Sequence, residues 1–215
     1  MKARLQLSSI VIVALLLCLS CTRPSFTLMG THTGVSRVSH LDREGRLTST
    51  YESLSVFVES EEDANLQMEI ISPDGQSTWL FPAKTVRIDK IDYYGKASLS
   101  LGEQMPLPRG EWSLRVMRDD GRTITESFVL EAGTEAALAQ HLLDSDTGTL
   151  ILPEQIGECA IQLLDVNRRV LHRSTTTEQT IVLTSLYTNW DKVRSVGLSW
   201  YDEGAKQSQI VWYSL

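Results

Sequence analysis

The sequence has 215 residues and an acidic balance, with 27 Asp and Glu against 20 Lys and Arg. Affinity for phosphates depends on clustered Lys and Arg, and no such cluster occurs, so we expect no nucleic-acid partner. Only three cysteines are present, and two of them lie at the end of the N-terminal leader. No internal disulfide is therefore expected in the folded part.

Residues 1–20 have the pattern of a signal peptide. Lys2 and Arg4 form a short basic start, and every residue from Ile10 to Leu19 is apolar. A membrane-spanning helix needs about 20 apolar residues, and this run ends at Ser20. We therefore expect the segment to direct export and then to be removed.

The leader ends with a small residue directly before a cysteine, in the run Leu17, Cys18, Leu19, Ser20 and Cys21. This run resembles the lipobox of bacterial lipoproteins, with Cys18 where that motif usually has Leu. The resemblance implies that Cys21 becomes the mature N-terminus and carries a diacylglyceryl thioether, usually with an amide-linked chain such as palmitate. It also implies anchorage to a membrane of the bacterial cell envelope. An ordinary cleaved signal peptide is the alternative.

Residues 21–34 are rich in Thr, Gly and Ser, which predicts a flexible tether behind the lipid. Residues 35–132 alternate between apolar and polar positions and are interrupted by turn residues, a pattern typical of strands. The size and spacing predict an immunoglobulin-like β-sandwich domain. Its clearest strands are expected at 54–58, 66–71, 78–81, 96–101, 112–116 and 124–130.

Residues 133–148 are predicted to form a linker with one short helix, because the stretch from Thr134 to Asp144 is rich in Ala and Leu. Residues 149–215 return to alternation and predict a smaller second β-domain. Its hairpins follow the order of those in the first domain, which indicates either a weak internal repeat or a chance similarity. The last strand, Ile210–Leu215, is apolar on both faces, which fits burial within the chain or an exposed sheet edge.

Catalytic and metal-binding patterns are absent from the sequence. The four histidines show no ligand spacing, and no Gly-rich phosphate loop, nucleophile elbow or paired-cysteine motif occurs. We therefore expect no cofactor, no metal and no catalytic residue. Cys159 alternates with Ile161 and Leu163 along a predicted strand, which favours a buried, inert thiol over a reactive one.

Tryptophan positions offer one candidate binding residue. Trp79, Trp112, Trp200 and Trp212 lie in predicted strands and are expected in cores. Trp190 lies in a predicted loop, so it is the better candidate for an exposed aromatic side chain on a binding surface.

These features together favour a membrane-anchored envelope lipoprotein that binds or scaffolds other macromolecules and has an envelope protein as its partner. One alternative is a lipoprotein that binds a glycan or a small solute, which would need a pocket with convergent polar groups. The less favoured alternative is an envelope hydrolase, which would need an acid, a base or a nucleophile gathered in a cleft.

Overall fold

A computed structural model describes residues 26–60, 65–133, 143–144, 147–153 and 156–215. These residues are mainly β, as predicted. The predicted signal peptide and Cys21 lie outside the described residues. So does the predicted helix from residue 134 to 142, whereas Leu143 and Asp144, which that prediction included, form a short strand.

The described residues between 26 and 133, which we call the first unit, contribute strands to two sheets. One has the strand order β1-β2-β6-β5 and the other β4-β3-β7-β8. The strands are β1 (Gly30–Leu41), β2 (Leu47–Glu59), β3 (Leu66–Ile71), β4 (Thr78–Pro82), β5 (Lys84–Ile88), β6 (Ile91–Leu99), β7 (Gly110–Arg118) and β8 (Thr123–Leu130).

The first core fills the space between these two sheets. Alternate residues of β2, β3, β7 and β8 point inward, so Leu54, Val56 and Val58 of β2 meet side chains of the other three strands in one apolar cluster. Trp112 is fully buried, and its ring stacks on Trp79 with 5.6 Å between the centroids. The core therefore has the two-layer packing that alternation in the sequence predicts.

Residues 143–215, which we call the second unit, also contain two sheets. Their orders are β12-β11-β14-β15 and β13-β10-β9. The strands are β9 (Leu143–Asp144), β10 (Thr149–Ile151), β11 (Cys159–Leu164), β12 (Val170–Thr176), β13 (Thr180–Val182), β14 (Ser195–Asp202) and β15 (Gln207–Ser214). A helical turn α1 (Leu183–Leu186) and a 3-10 turn (Trp190–Lys192) lie between β13 and β14.

The two units share a strand order. The sheet β4-β3-β7-β8 of the first unit has its counterpart in β12-β11-β14-β15 of the second. The hairpins that the sequence pairs with each other, β3–β4 with β11–β12 and β7–β8 with β14–β15, occupy equivalent places in these sheets. The likeness of the two units therefore extends from hairpin order to sheet topology.

A parallel strand pair joins the units. β15 pairs with β1 in parallel, from Ser36 opposite Ser208 to Leu41 opposite Tyr213, and with β14 in antiparallel orientation. The result is one eight-stranded sheet with the order β12-β11-β14-β15-β1-β2-β6-β5. β15 thus has a partner on both sides, so the exposed-edge alternative is wrong. The prediction of burial is confirmed for the inner face, whereas Ile210 and Trp212 on the outer face are half-buried.

Three local expectations need correction. The tether was predicted to reach Gly34, but β1 begins at Gly30 and Phe26 is already buried in the first core. The strand predicted at 96–101 is the end of a longer strand that runs from Ile91 to Leu99. β5 was not predicted because all five of its residues are exposed and alternation therefore leaves no trace.

Candidate functional site

The predicted binding residue Trp190 lies at the edge of the second core. It begins the 3-10 turn, its ring is half-buried against that core, and its backbone carbonyl accepts a hydrogen bond from the N–H of Val193. Together with Arg43, Arg194 and Leu215 it borders a shallow hollow of about 330 Å³. Trp190 thus packs locally and also reaches the surface, and its role in binding stays a prediction.

The other tryptophans lie in strands, as expected, although only Trp112 is completely enclosed. Trp79 packs partly buried against the first core and Trp200 against the second. The expectation of a core position is wrong for Trp212, which lies half-buried on the outer face of β15. Its ring covers Gly197 so closely that a Cβ there would be 2.4 Å from the ring. A glycine opposite a tryptophan thus lets an aromatic side chain lie flat on the sheet.

Cys159 is buried in the second core, which confirms the inert-thiol prediction. Burial raises its pKa to about 11, with a small opposing effect from a hydrogen bond with Ser199. The thiolate is the reactive form, so this side chain is not a nucleophile at neutral pH.

A polar region lies where the two units meet. On the inner face of the eight-stranded sheet, the first and second cores are separated by buried polar side chains from β1 and β15: Ser39, Gln207 and Gln209. Arg37 stands opposite Glu52 of β2 on one side and opposite Gln209 of β15 on the other. We call this region the seam.

Glu52 is held at the seam by two donors. The Nη2 of Arg109 donates to its Oε1 at 2.9 Å, and the backbone N–H of Leu107 donates to its Oε2 at 2.9 Å. The Glu52 side chain is only 13% exposed and the Arg109 side chain 29%. Because Leu107 is itself buried in the first core, this ion pair fastens the loop between β6 and β7 to the seam.

Three other seam residues lack such partners. Arg37 is half-buried and forms no hydrogen bond or ion pair with the described part of the chain. Gln207 and Gln209 are 4% and 7% exposed. The Oε1 of Gln207 and the Nε2 of Gln209 are buried without a hydrogen bond to any described residue. Buried polar groups are normally paired, so each unpaired one calls for a reason.

A cleft of about 420 Å³ opens over the seam, and we call it the seam cleft. Gly133 closes one side, because it lies so near the β14–β15 turn that a Cβ there would be 2.2 Å from the Ala205 carbonyl oxygen. The lining residues are Arg37, Thr50, Tyr51, Glu52, Gln104, Met105, Pro106, Arg109, Gly133, Ala205 and Gln207. Its volume lies within the range of small-ligand sites, about 300 to 1,000 Å³.

Comparison with protein-family models and with curated proteins finds no match. The structure therefore provides the argument for this chain's function.

The seam cleft offers charged and polar groups that can bind a ligand. Its charged groups are two guanidinium groups and one carboxylate, and no described histidine or cysteine lines it. Within the described ranges, no group of three or more His, Cys, Asp or Glu side chains is placed to hold a metal ion. The described helices include none that is long and apolar enough to cross a membrane.

Sequence reasoning missed the seam cleft. Arg37 and Gln207 are about 170 positions apart in the sequence, and they meet only because β1 and β15 pair in parallel. The sequence contains one signal of this site. Gln207 and Gln209 lie at alternate positions of β15, on the same strand face as the core residues Val211 and Tyr213.

Proposed function

We propose that this chain is a lipid-anchored module of a bacterial envelope and that it binds a small solute in the seam cleft. The observation that carries the proposal is a cleft of suitable size lined by two polar side chains. Arg37 has no hydrogen bond or ion pair to a described residue, and the Oε1 of Gln207 is buried without a hydrogen bond from one. Both units have complete apolar cores beside it, so the cleft is not a packing fault within a core.

The strand order supports an immunoglobulin-like assignment for the first unit. An immunoglobulin constant domain places strands A, B, E and D in one sheet and C, F and G in the other. The orders β1-β2-β6-β5 and β4-β3-β7-β8 match this arrangement in chain order, with β4 as an added strand beside C. The buried Trp112 stands on β7, the counterpart of strand F, whereas antibody domains have their buried tryptophan on strand C.

The anchor part of the proposal depends on the lipobox resemblance at Cys21. Stable anchoring of a protein to a membrane takes two lipid chains, or one chain with a second signal, since each buried methylene contributes roughly 0.8 kcal/mol. A diacylglyceryl group with an amide-linked chain exceeds this requirement. Cells expressing the full chain should incorporate labelled fatty acid into it, and a Cys21→Ala variant should not. Label retained by the Cys21→Ala variant would remove the anchor from the proposal.

Among the functions considered, solute binding has the most structural support, because it needs a concave site with convergent polar groups. The envelope protein partner expected from the sequence stays a prediction.

Thermal unfolding of the detergent-purified full chain with a panel of sugars, amino acids and short peptides tests the binding proposal. We expect at least one class of solute to raise the unfolding temperature, because a ligand that binds only the folded state stabilises it.

Two methionine variants connect such a shift to the seam cleft. Met105 lines the cleft and Met29 lies elsewhere, yet both side chains belong to residues that are 57% exposed. Met105→Trp should block the cleft and abolish the shift, whereas Met29→Trp should preserve it. A shift that survives Met105→Trp unchanged, or a panel that produces no shift, would contradict solute binding in the cleft.

A further inference from the structure

The charges that line the seam cleft differ in sign from the charge of the whole chain. The sequence has a formal net charge of −7. The cleft is lined by two positive side chains, Arg37 and Arg109, and one negative side chain, Glu52. Two positive charges and one negative leave a local excess of one positive charge.

Arg37 carries that excess. Arg109 donates to Glu52 and their charges compensate each other. Glu52 also accepts the N–H of Leu107, so each of its oxygens already has a donor. Arg37 is half-buried in the same cleft without a hydrogen bond or ion pair to the described residues. Its guanidinium is therefore available to an anion that enters the cleft, and such an anion would supply the counter-charge that the described residues do not.

We propose that the seam cleft recognises a small solute through a carboxylate bound by Arg37. A guanidinium presents two parallel N–H donors that match the two oxygens of a carboxylate, and such charge-assisted bonds are roughly twice as strong as neutral ones. The remaining N–H groups of Arg109, which also lines the cleft, can assist. This inference depends on the proposed solute-binding function and specifies the ligand's chemistry.

Two sources could supply this chemistry, an acidic sugar or an amino-acid-like acid, and matched probes separate them. Galacturonate and galactose form one pair, and N-acetylglutamate and N-acetylglutamine form the other. We expect calorimetric titration of the full chain in detergent to detect one acid, with at least tenfold weaker binding of its uncharged counterpart, roughly the contribution of one charge-assisted pair.

Arginine variants locate the interaction. Arg37→Ala should weaken binding of that acid by about tenfold or more, and Arg37→Lys should restore part of it because the charge remains but the paired donors do not. Arg173→Ala is the matched control, because Arg173 is exposed on β12 and does not line the cleft. This control should bind the acid as the unmodified chain does.

The outcomes separate this inference from the proposed function. Equal binding of an acid and its uncharged counterpart, full binding by a folded Arg37→Ala variant, or no binding of either acid at about 10 mM would overturn the carboxylate assignment. Solutes that stabilise the chain and are blocked by Met105→Trp would still support binding in the cleft. If Arg37→Ala does not fold, Arg37→Lys provides the decisive comparison, because a lysine variant with undiminished binding would also overturn the assignment.

Discussion

Buried polar side chains at the seam are the residue-scale feature on which the proposed site depends. The apolar side chains of the cores could be assigned from alternation, as with Cys159 and Trp112, because an inward position repeats every second residue. Alternation places Gln207 and Glu52 on the inward faces of their strands, but it could not show that Gln207 would be buried and Glu52 half-buried. Their burial requires neighbours from distant strands, and their polar character argues against it when the sequence is considered alone.

Gln207 should lower the stability of the unliganded protein. Its Oε1 is buried and accepts no hydrogen bond from the described residues, so its desolvation is uncompensated. Gln207→Leu should therefore raise the free energy of unfolding by about 1 kcal/mol, measured by urea denaturation. Gln67→Leu is the control, because Gln67 is exposed on β3. It should change the free energy of unfolding by less than about 0.5 kcal/mol. A clear loss of stability in Gln207→Leu would show that the amide has a structural partner.

His40 provides a pH-dependent prediction. Burial lowers its pKa from the ordinary value of 6.5, the charge of Arg168 lowers it further, and Glu103 opposes both. The unfolded chain then binds more protons than the folded one near this pH, so the stability linked to His40 is complete above about pH 6.5 and falls as the pH drops.

The measurement compares the unmodified chain with His40→Gln by urea denaturation from about pH 8 to about pH 5. The variant should gain stability relative to the unmodified chain as the pH falls, because it has no imidazole to protonate. A stability difference between the two proteins that stays constant over this pH range would contradict the lowered pKa of His40.

At the scale of elements, turns determine how much of the fold the sequence reveals. The hairpins β3–β4 and β7–β8 could be predicted because Gly75 and Gly121 adopt positive φ angles of 68° and 83° that favour glycine. The hairpin β5–β6 could not, because Asp89 and Lys90 occupy its positive-φ positions. The first half of β1 was predicted to belong to the tether for a different reason, because its Thr, His and Gly residues show no apolar alternation.

Gly95 tests the packing of β6 against β2. A Cβ at Gly95 would lie 2.1 Å from the Val56 carbonyl oxygen and 2.8 Å from Cδ1 of Phe57, so the strands would have to separate. Gly95→Ala should lower the free energy of unfolding by about 3 kcal/mol. Gly34→Ala is the control, because no heavy atom lies within 4 Å of its Cβ position. Equal stabilities of the two variants in urea denaturation would contradict this strand pairing.

At the scale of the whole molecule, β15 determines the architecture. Sequence analysis predicted two β-domains and the order of their hairpins, but not that the last strand of the chain would pair with the first. That pairing joins residues about 170 positions apart, and local patterns contain no information about it. It also creates the seam, so both the cleft and its unpaired Arg37 depend on this pairing.

A cysteine crosslink tests the parallel pairing of β1 with β15 most directly. Ser36 and Ser208 are opposite each other in this pair, and opposed residues of adjacent strands lie within disulfide range, about 4.4 to 6.8 Å between Cα atoms. Ser36→Cys combined with Ser208→Cys should form a disulfide under mild oxidation, identified by mass spectrometry of the linked peptides.

Ser36→Cys combined with Ser199→Cys is the control, because Ser199 lies on β14 and β15 separates it from β1. We expect near-complete crosslinking of the first pair and none of the second. Failure of the Ser36–Ser208 pair to crosslink in the folded chain, or equal crosslinking of both pairs, would contradict the joined sheet and, with it, the seam cleft.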